Sequence, residues 1–423
     1  MKKWFIIYLL LLTNQLTAQP GYGYDSLTAK AGLFHLQRNA KKAISIFEEA
    51  FILRQPDALT AYKTAGVYAL DSNAGKAFRY LTAAIDSGWT EAGWLVNDDY
   101  FDWLKQTQKD KWDAVITKAV AKEKIFEATL QLPALRQRIN TMTLQDQQLR
   151  YKRVQAKSKE ERKIINAAIA KADADNLLAA KEIIAQYGWP GISQIGKDGQ
   201  NNLWLVVQHA DMDVAFQRNA LAAMKKLLGT KELNAENYAF LYDRVQCNLN
   251  YKQLYGTQVN WTSNGEASGF RSIADEDKVD DRRRKLGVLP LHIYALTYGF
   301  TYTLPAKEYV IKRESQEQAW LKTGRDSGAY YYRQQNFDKV YDIYNDASAV
   351  QGGMSSEDNY KAAILFAKIA AINKQEKFSS ISLDFLYLLF QRGEVNRKRW
   401  LAEKSFAVLH TNERWKSMLV KVE

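Results

Sequence analysis

Over most of the chain, apolar residues recur at three- and four-residue steps, the spacing of a helix with one buried face. The pattern also repeats. Ala31–Ala50 aligns without a gap on Gly328–Ala347, with apolar or aromatic residues matched throughout. Each stretch reads as a helix, a short turn at Asn39 or Asn336, and a second helix. The parallel continues from Tyr62–Tyr68 to Tyr360–Phe366 and from Leu81–Gly88 to Leu386–Gly393. Both copies close on the same apolar anchors, Phe101, Leu104 and Trp112 in the first and Phe406, Leu409 and Trp415 in the second, two of each three aromatic.

Small residues such as Ala43, Ala50, Ala65 and Ala84 fall where neighbouring helices must approach closely. This arrangement resembles tetratricopeptide helical hairpins, a pair of them closed by an aromatic capping helix. The resemblance implies either a concave surface for a peptide or protein partner, or a flank that shields another domain.

Between the copies the pattern changes. A Gln-, Arg- and Leu-rich helical stretch from Phe126 to Ala156 is interrupted by Pro133, which places a boundary near Leu130. Lys159–Tyr187 reads as two helices broken around Asp173–Asn176, where Asp or Asn would cap the second. Gly188-Trp189-Pro190-Gly191 is a stop and turn. A short apolar helix is expected from Asn201 or Asn202 to Asp211, then helices over Phe216–Leu228 and Glu236–Asn248, a loop with one hairpin over Leu254–Phe270, and helices over Lys278–Leu286 and Leu291–Tyr298. The expected fold is mainly α: tetratricopeptide-like hairpins flanking a central helical domain with at most a small β-hairpin. The expected division is a signal peptide over 1–19, repeats over 20–125, the central domain over 134–304 and a second repeat region over 315–423.

The N-terminus supplies an address. Lys2 and Lys3 precede an apolar run from Trp4 to Leu12 and a polar stretch ending Thr17-Ala18-Gln19, the layout of a secretory signal cleaved near Ala18. The run is shorter than the roughly 20 residues needed to span a bilayer. The expected mature chain is therefore exported, periplasmic or secreted, soluble, and without a transmembrane segment. Removing both lysines lowers the formal charge from +12 to 12 − 2 = +10. Basic and acidic residues are intermixed, so no nucleic-acid partner is expected. The densest basic run, Arg282–Lys285, follows five acidic residues between Asp275 and Asp281, and local ion pairing accounts for it. The single cysteine, Cys247, cannot form an internal disulfide and reads as a small buried residue rather than a nucleophile.

No Gly-rich phosphate loop, nucleophile elbow or paired-histidine zinc motif is present, and the four histidines are scattered. No cofactor and no metal are therefore expected. The central segment does carry a series of short motifs: Gly188-Trp189-Pro190 with Gly196, Gln208–Asp211 with Phe216-Gln217, Leu241–Arg244, Leu254–Gln258, and Asp281–Arg283 with Leu286-Gly287. They follow a helix bearing Asp146-Gln147 and Arg150. The series resembles that of an uncharacterised bacterial domain family, over about residues 134–298. The resemblance implies a domain and no particular chemistry.

Candidate pocket residues are Trp189, His209, Asp211, Asp243, Arg244, Tyr255, Thr257, Gln258, Arg282 and Arg283. His209 with Asp243 is either a general base or a buried polar clamp. Arg244 either binds a substrate anion or, the favoured reading, locks the Tyr255–Gln258 loop. Trp189-Pro190 is a packed turn or a stacking platform. The leading expectation is an exported interaction or scaffold protein of the periplasm or cell envelope, with a protein or peptide partner on the helical repeats. The rival is a hydrolase or small-ligand binder whose pocket is built from the central motifs.

Overall fold

The structure is a computed structural model that describes residues 22–420. The expected signal segment lies outside the described residues. The described residues are mainly helical with one two-stranded sheet, and they divide into two compact units, one holding residues 22–89 and 98–119 and the other residues 90–97 and 120–420.

The first unit stacks two hairpins, α1 (Gly23–Leu36) with α2 (Ala40–Leu53) and α3 (Ala58–Leu70) with α4 (Ala74–Asp86). One turn design closes both. Arg38 takes a left-handed φ of 54°, and Asn39 then caps α2 by accepting the Lys42 N–H, while its own N–H returns to the Phe34 carbonyl at 2.9 Å. Ser72 (φ 57°) and Asn73 do the same for α4, with Lys76 and Tyr68 as partners. The side-chain oxygen of asparagine satisfies one of the orphan N–H groups that open a helix. Ala43, Ala50, Ala65 and Ala84 are wholly buried, as close helix approach requires.

The second unit begins with α5 (Ala92–Asn97). In the first unit, a 3-10 turn at Asp99–Phe101, α6 (Asp102–Thr107) and the opening turns of α7 (Lys109–Glu127) supply the aromatic cap. There the Tyr62, Phe101 and Trp112 rings stand in a row, with centroids 5.5 and 5.7 Å apart.

In the second unit α8 (Pro133–Gln155) starts at the predicted proline and packs with α9 (Lys159–Tyr187) and α10 (Ile192–Gln208). Helix α9 is continuous, which corrects the break expected at Asp173–Asn176. Asp175 is paired with Lys171 one turn earlier (2.5 Å) and Asp173 with Arg150 (2.5 Å), so both carboxylates are satisfied without leaving the helix. Helix α10 begins nine residues before the expected Asn201 start (201 − 192), with a kink at Gly196 (φ 76°). A Cβ at Gly196 would come within 2.9 Å of the Phe126 ring. Helices α11 (Val214–Lys225) and α12 (Ala235–Asn248) complete a core that includes Ile139, Ile183, Leu203, Val207 and Leu241. The expected hairpin is present as β1 (Val259–Trp261) and β2 (Ala267–Phe270), antiparallel with an irregularity after Asn260. Helices α13 (Val279–Lys285) and α14 (Leu291–Leu296) follow.

The second repeat comprises α15 (Lys307–Arg333), α16 (Phe337–Ala349), α17 (Ser356–Asn373) and α18 (Glu376–Arg392), then α19 (Arg397–Ala402), a 3-10 turn at Lys404–Leu409 and α20 (Glu413–Val420). Its first turn reproduces the design of the first repeat: Gln335 has φ 54°, and Asn336 caps α16 and returns its N–H to Tyr331 at 3.0 Å. Tyr360, Phe406 and Trp415 form the matching aromatic row, with centroids 5.9 and 5.4 Å apart. Gly88 and Gly393, both at positive φ, end α4 and α18 alike.

Within the second unit this repeat is docked on the central segment. The buried Arg392 guanidinium donates to the Leu249 carbonyl (2.9 Å), Arg218 to the Arg392 carbonyl (3.0 Å) and the Gly352 N–H to Asn250 (2.9 Å). Among the described residues no helix is long and apolar enough to cross a membrane.

Candidate functional site

Six of the ten candidate residues gather around one loop. Asp243, on α12 and completely buried, accepts the backbone N–H groups of Leu254 (2.7 Å), Tyr255 (3.0 Å) and Thr257 (2.9 Å) and the Thr257 hydroxyl (3.0 Å). Burial pushes its carboxyl above the usual range, and these donors offset part of the rise. Gly256 has φ 71°, and a Cβ there would lie 2.8 Å from Leu291, so the turn requires glycine. Gln258 donates its backbone N–H to Gln253 (2.8 Å) and its side-chain amide to Thr257 (3.1 Å). Arg283 reaches the carbonyls of Leu289 (2.6 Å) and Tyr255 (2.7 Å), and Arg282 those of Leu254 (2.7 Å) and Ala274 (2.6 Å). Both arginines therefore bind backbone carbonyls rather than carboxylates, Arg282 also taking that of Asp275 in the acidic run (3.2 Å), while Arg284 forms the ion pair expected of the basic run, with Asp281. The arrangement holds a loop in one conformation.

The expected His209–Asp243 pair is not formed. Asp243 is spent on the loop, and its helical neighbour Arg244 turns the other way to grip both oxygens of Asp211, with Nε at 2.7 Å from Oδ1. Asn248 (2.9 Å) and the buried Gln217 amide (3.4 Å) complete that carboxylate's shell. Burial would raise the Asp211 carboxyl, but Arg244 and the two amides outweigh it and hold it below its ordinary value. The loop lock expected of Arg244 is thus performed by Asp243. Trp189 is buried in its turn, and the Pro190 carbonyl beside it accepts the Gln200 amide at 2.6 Å, so no exposed ring face is offered for stacking.

His209, the residue that closes α10, meets a different pair of carboxylates. Its Nδ1 is 3.5 Å from Oδ2 of Asp146 on α8, and Asp173 on α9 lies beside them. One ligand atom from each of the three residues falls within 4.8 Å of the others. Arg150 bridges the carboxylates, with Nη2 2.9 Å from Asp146 and 2.5 Å from Asp173, and the Gln147 amide donates to Asp146 at 2.7 Å. Asp146 is 3% exposed, whereas Asp173 and His209 are open to solvent on one side. Burial opposes ionisation of Asp146, but His209 and Arg150 prevail and hold its carboxyl far below the usual range. Burial moves Asp173 the other way. Sequence reasoning took Asp173 for a helix cap and Asp146 for a motif position, and no local signal joins them.

A second feature escaped the sequence. A cleft of about 340 Å³ in the second unit is lined by Glu91, Trp94, Glu123, Arg136, Asn140 and Asn202 among others, and by none of the ten candidates. At its floor Arg136, wholly buried, donates to Asp198 (2.9 Å), Glu127 (2.7 Å), Glu123 (2.9 Å) and the Thr90 carbonyl (2.6 Å). Glu91 accepts the Asn202 amide at 3.1 Å, and burial, reinforced by the Asp198 charge, pushes its carboxyl up to about 7. A carboxyl that titrates near neutrality in a polar cleft can give or take a proton there.

Fold and site together define a helical domain with a clamped loop and a separate polar cluster, carried with helical-repeat hairpins. Residues 133–307, about two-fifths of the chain, match the model of a family of unknown function (DUF6624). That span coincides closely with the central segment outlined from its motifs. No curated protein and no solved structure matches the chain.

Proposed function

We propose that this chain is an exported scaffold of the cell envelope that holds a peptide segment of a partner protein on its second set of hairpins, with the domain over about 134–304 as the body on which that set is mounted. The observation that supports this is a cleft of about 290 Å³ among α16, α17 and α18, walled by Tyr341, Tyr344, Ile381, Phe385 and Leu388, with Asn345 and Ser348 also lining it. Its volume lies at the bottom of the roughly 300–1,000 Å³ range of small-molecule pockets, which suits one or two apolar side chains of a peptide better than a cofactor. Amide and hydroxyl groups beside aromatic walls match a peptide, which offers backbone polar groups beside each side chain. The Asp243 loop also favours a scaffold, because its anchoring carboxylate is occupied by four donors of the loop itself rather than turned toward a substrate.

The test is selection of peptides from a random display library on the purified mature protein, followed by Tyr341→Ala. Binding at least about tenfold weaker is expected, with the variant still folded by circular dichroism. Selected peptides that bind the variant as well as the parent would refute the reading. Export is checked by the mass of the chain recovered from a periplasmic fraction: a start near Gln19 is expected, and intact Met1 would exclude it. The rival small-ligand reading draws its support from the Glu91 cleft. It requires a small ligand that raises the unfolding temperature of the parent and not of Glu91→Gln.

A further inference from the structure

We infer that Asp146, Asp173 and His209 form a binding site for one divalent transition-metal ion, independent of the peptide cleft. Three features carry this. The ligand atoms come from three separate places, α8, α9 and the end of α10, and packing brings them within 4.8 Å of one another. Two donors at about 2.1 Å from a tetrahedral metal stand about 3.4 Å apart, and the His209 Nδ1 to Asp146 Oδ2 distance is 3.5 Å. Two carboxylates with one imidazole make a mixed oxygen and nitrogen set, the kind that suits zinc, manganese or cobalt rather than the all-oxygen preference of calcium or magnesium.

The surroundings fit as well. The Gln147 amide, 2.7 Å from Asp146, orients the most buried ligand as an outer-shell partner does. Three protein ligands leave at least one position open to water or to a partner's side chain, and the exposed sides of Asp173 and His209 provide the entrance.

Arg150 is the resident competitor. Its guanidinium lies against both carboxylates, one positive charge against two negative ones. Metal binding therefore displaces a cation the protein already supplies, and removing that cation strengthens binding. An ion-pair network with no affinity for metal predicts no binding either with Arg150 or without it.

The experiment is titration of the full mature chain with Zn²⁺ by calorimetry and with Co²⁺ by visible absorption. Asp173→Asn, His209→Ala and Arg150→Gln are measured beside it; Asp146 is left intact because its burial makes folding of a variant uncertain. One equivalent of metal is expected, bound at least about tenfold more weakly by Asp173→Asn and by His209→Ala and at least about tenfold more tightly by Arg150→Gln. Co²⁺ bands should appear in the parent and vanish in His209→Ala. No binding by the parent or by Arg150→Gln overturns the inference, leaving an ion-pair lock. Binding undiminished in both ligand variants overturns it too, placing the metal elsewhere. If Arg150→Gln fails to fold by circular dichroism, the parent and the two ligand variants decide the matter.

Discussion

Asp243 and Asp146 are both nearly inaccessible to solvent and both in the central domain, yet the groups that meet them differ in kind. Asp243 is filled by the backbone N–H groups of a tight turn, which cannot withdraw unless the loop is unmade. Asp146 is met by Arg150, Gln147 and His209, side chains that leave by changing rotamer. Burial alone therefore does not separate a structural carboxylate from one available to a ligand. The mobility of its partners does.

The contrast is broken most directly at Asp243. Asp243→Ala strands several buried donors at once, and urea unfolding should register a loss of about 3 kcal/mol or more. A loss under about 1 kcal/mol would show that the loop holds without its anchor.

Glu91 offers a case between the two, because its effect depends on pH. Its carboxyl titrates near 7 in the native state against 4.5 for the free side chain. Between those values the native state keeps a proton that the unfolded chain has released, so its contribution is complete below pH 4.5 and declines as pH rises toward 7. Glu91→Gln removes the decline. Relative to the parent, the variant should gain about 3 kcal/mol between pH 4.5 and pH 8 in denaturant titrations. An equal offset at the two pH values would mean that Glu91 ionises normally.

The smallest effect belongs to the cluster. Asp173 is about one-third exposed, and its pair with Arg150 is worth little at such a site, so Asp173→Asn should cost less than about 1 kcal/mol in the same urea assay. A cost approaching that of Asp243→Ala would assign both carboxylates to the same structural role.

What was legible in the sequence was local. The Asn39 and Asn336 turns and the two aromatic rows follow from residues within one repeat, where side-chain type and spacing restrict the geometry. The central span, read as an uncharacterised domain, is likewise where the family model matches. The residues that share a site were not legible. Asp146, Asp173 and His209 are separated by 173 − 146 = 27 and 209 − 173 = 36 residues, and only the packing of α8, α9 and α10 brings them together. Asp243 reads as a partner for His209 because it stands on a different helix, but the sequence carries no information about which helix faces which. The adjacent Asp243 and Arg244 do face apart, as helical geometry demands, but which of the two meets the loop depended on the rotation of α12 in the core.

The Arg392–Leu249 hydrogen bond joins residues 143 positions apart. Leu249 emerges long before the segment that covers it, whereas each hairpin turn closes over a few neighbouring residues. Local hairpins can form as they emerge, while the seam around Leu249, Asn250 and Lys252 closes only as α15, α16 and α18 appear in turn. A chain that has not yet emerged as far as Arg392 therefore carries an unfinished surface, and the last stage of emergence, from the ribosome or across the membrane, is when this protein most needs protection from the wrong partner.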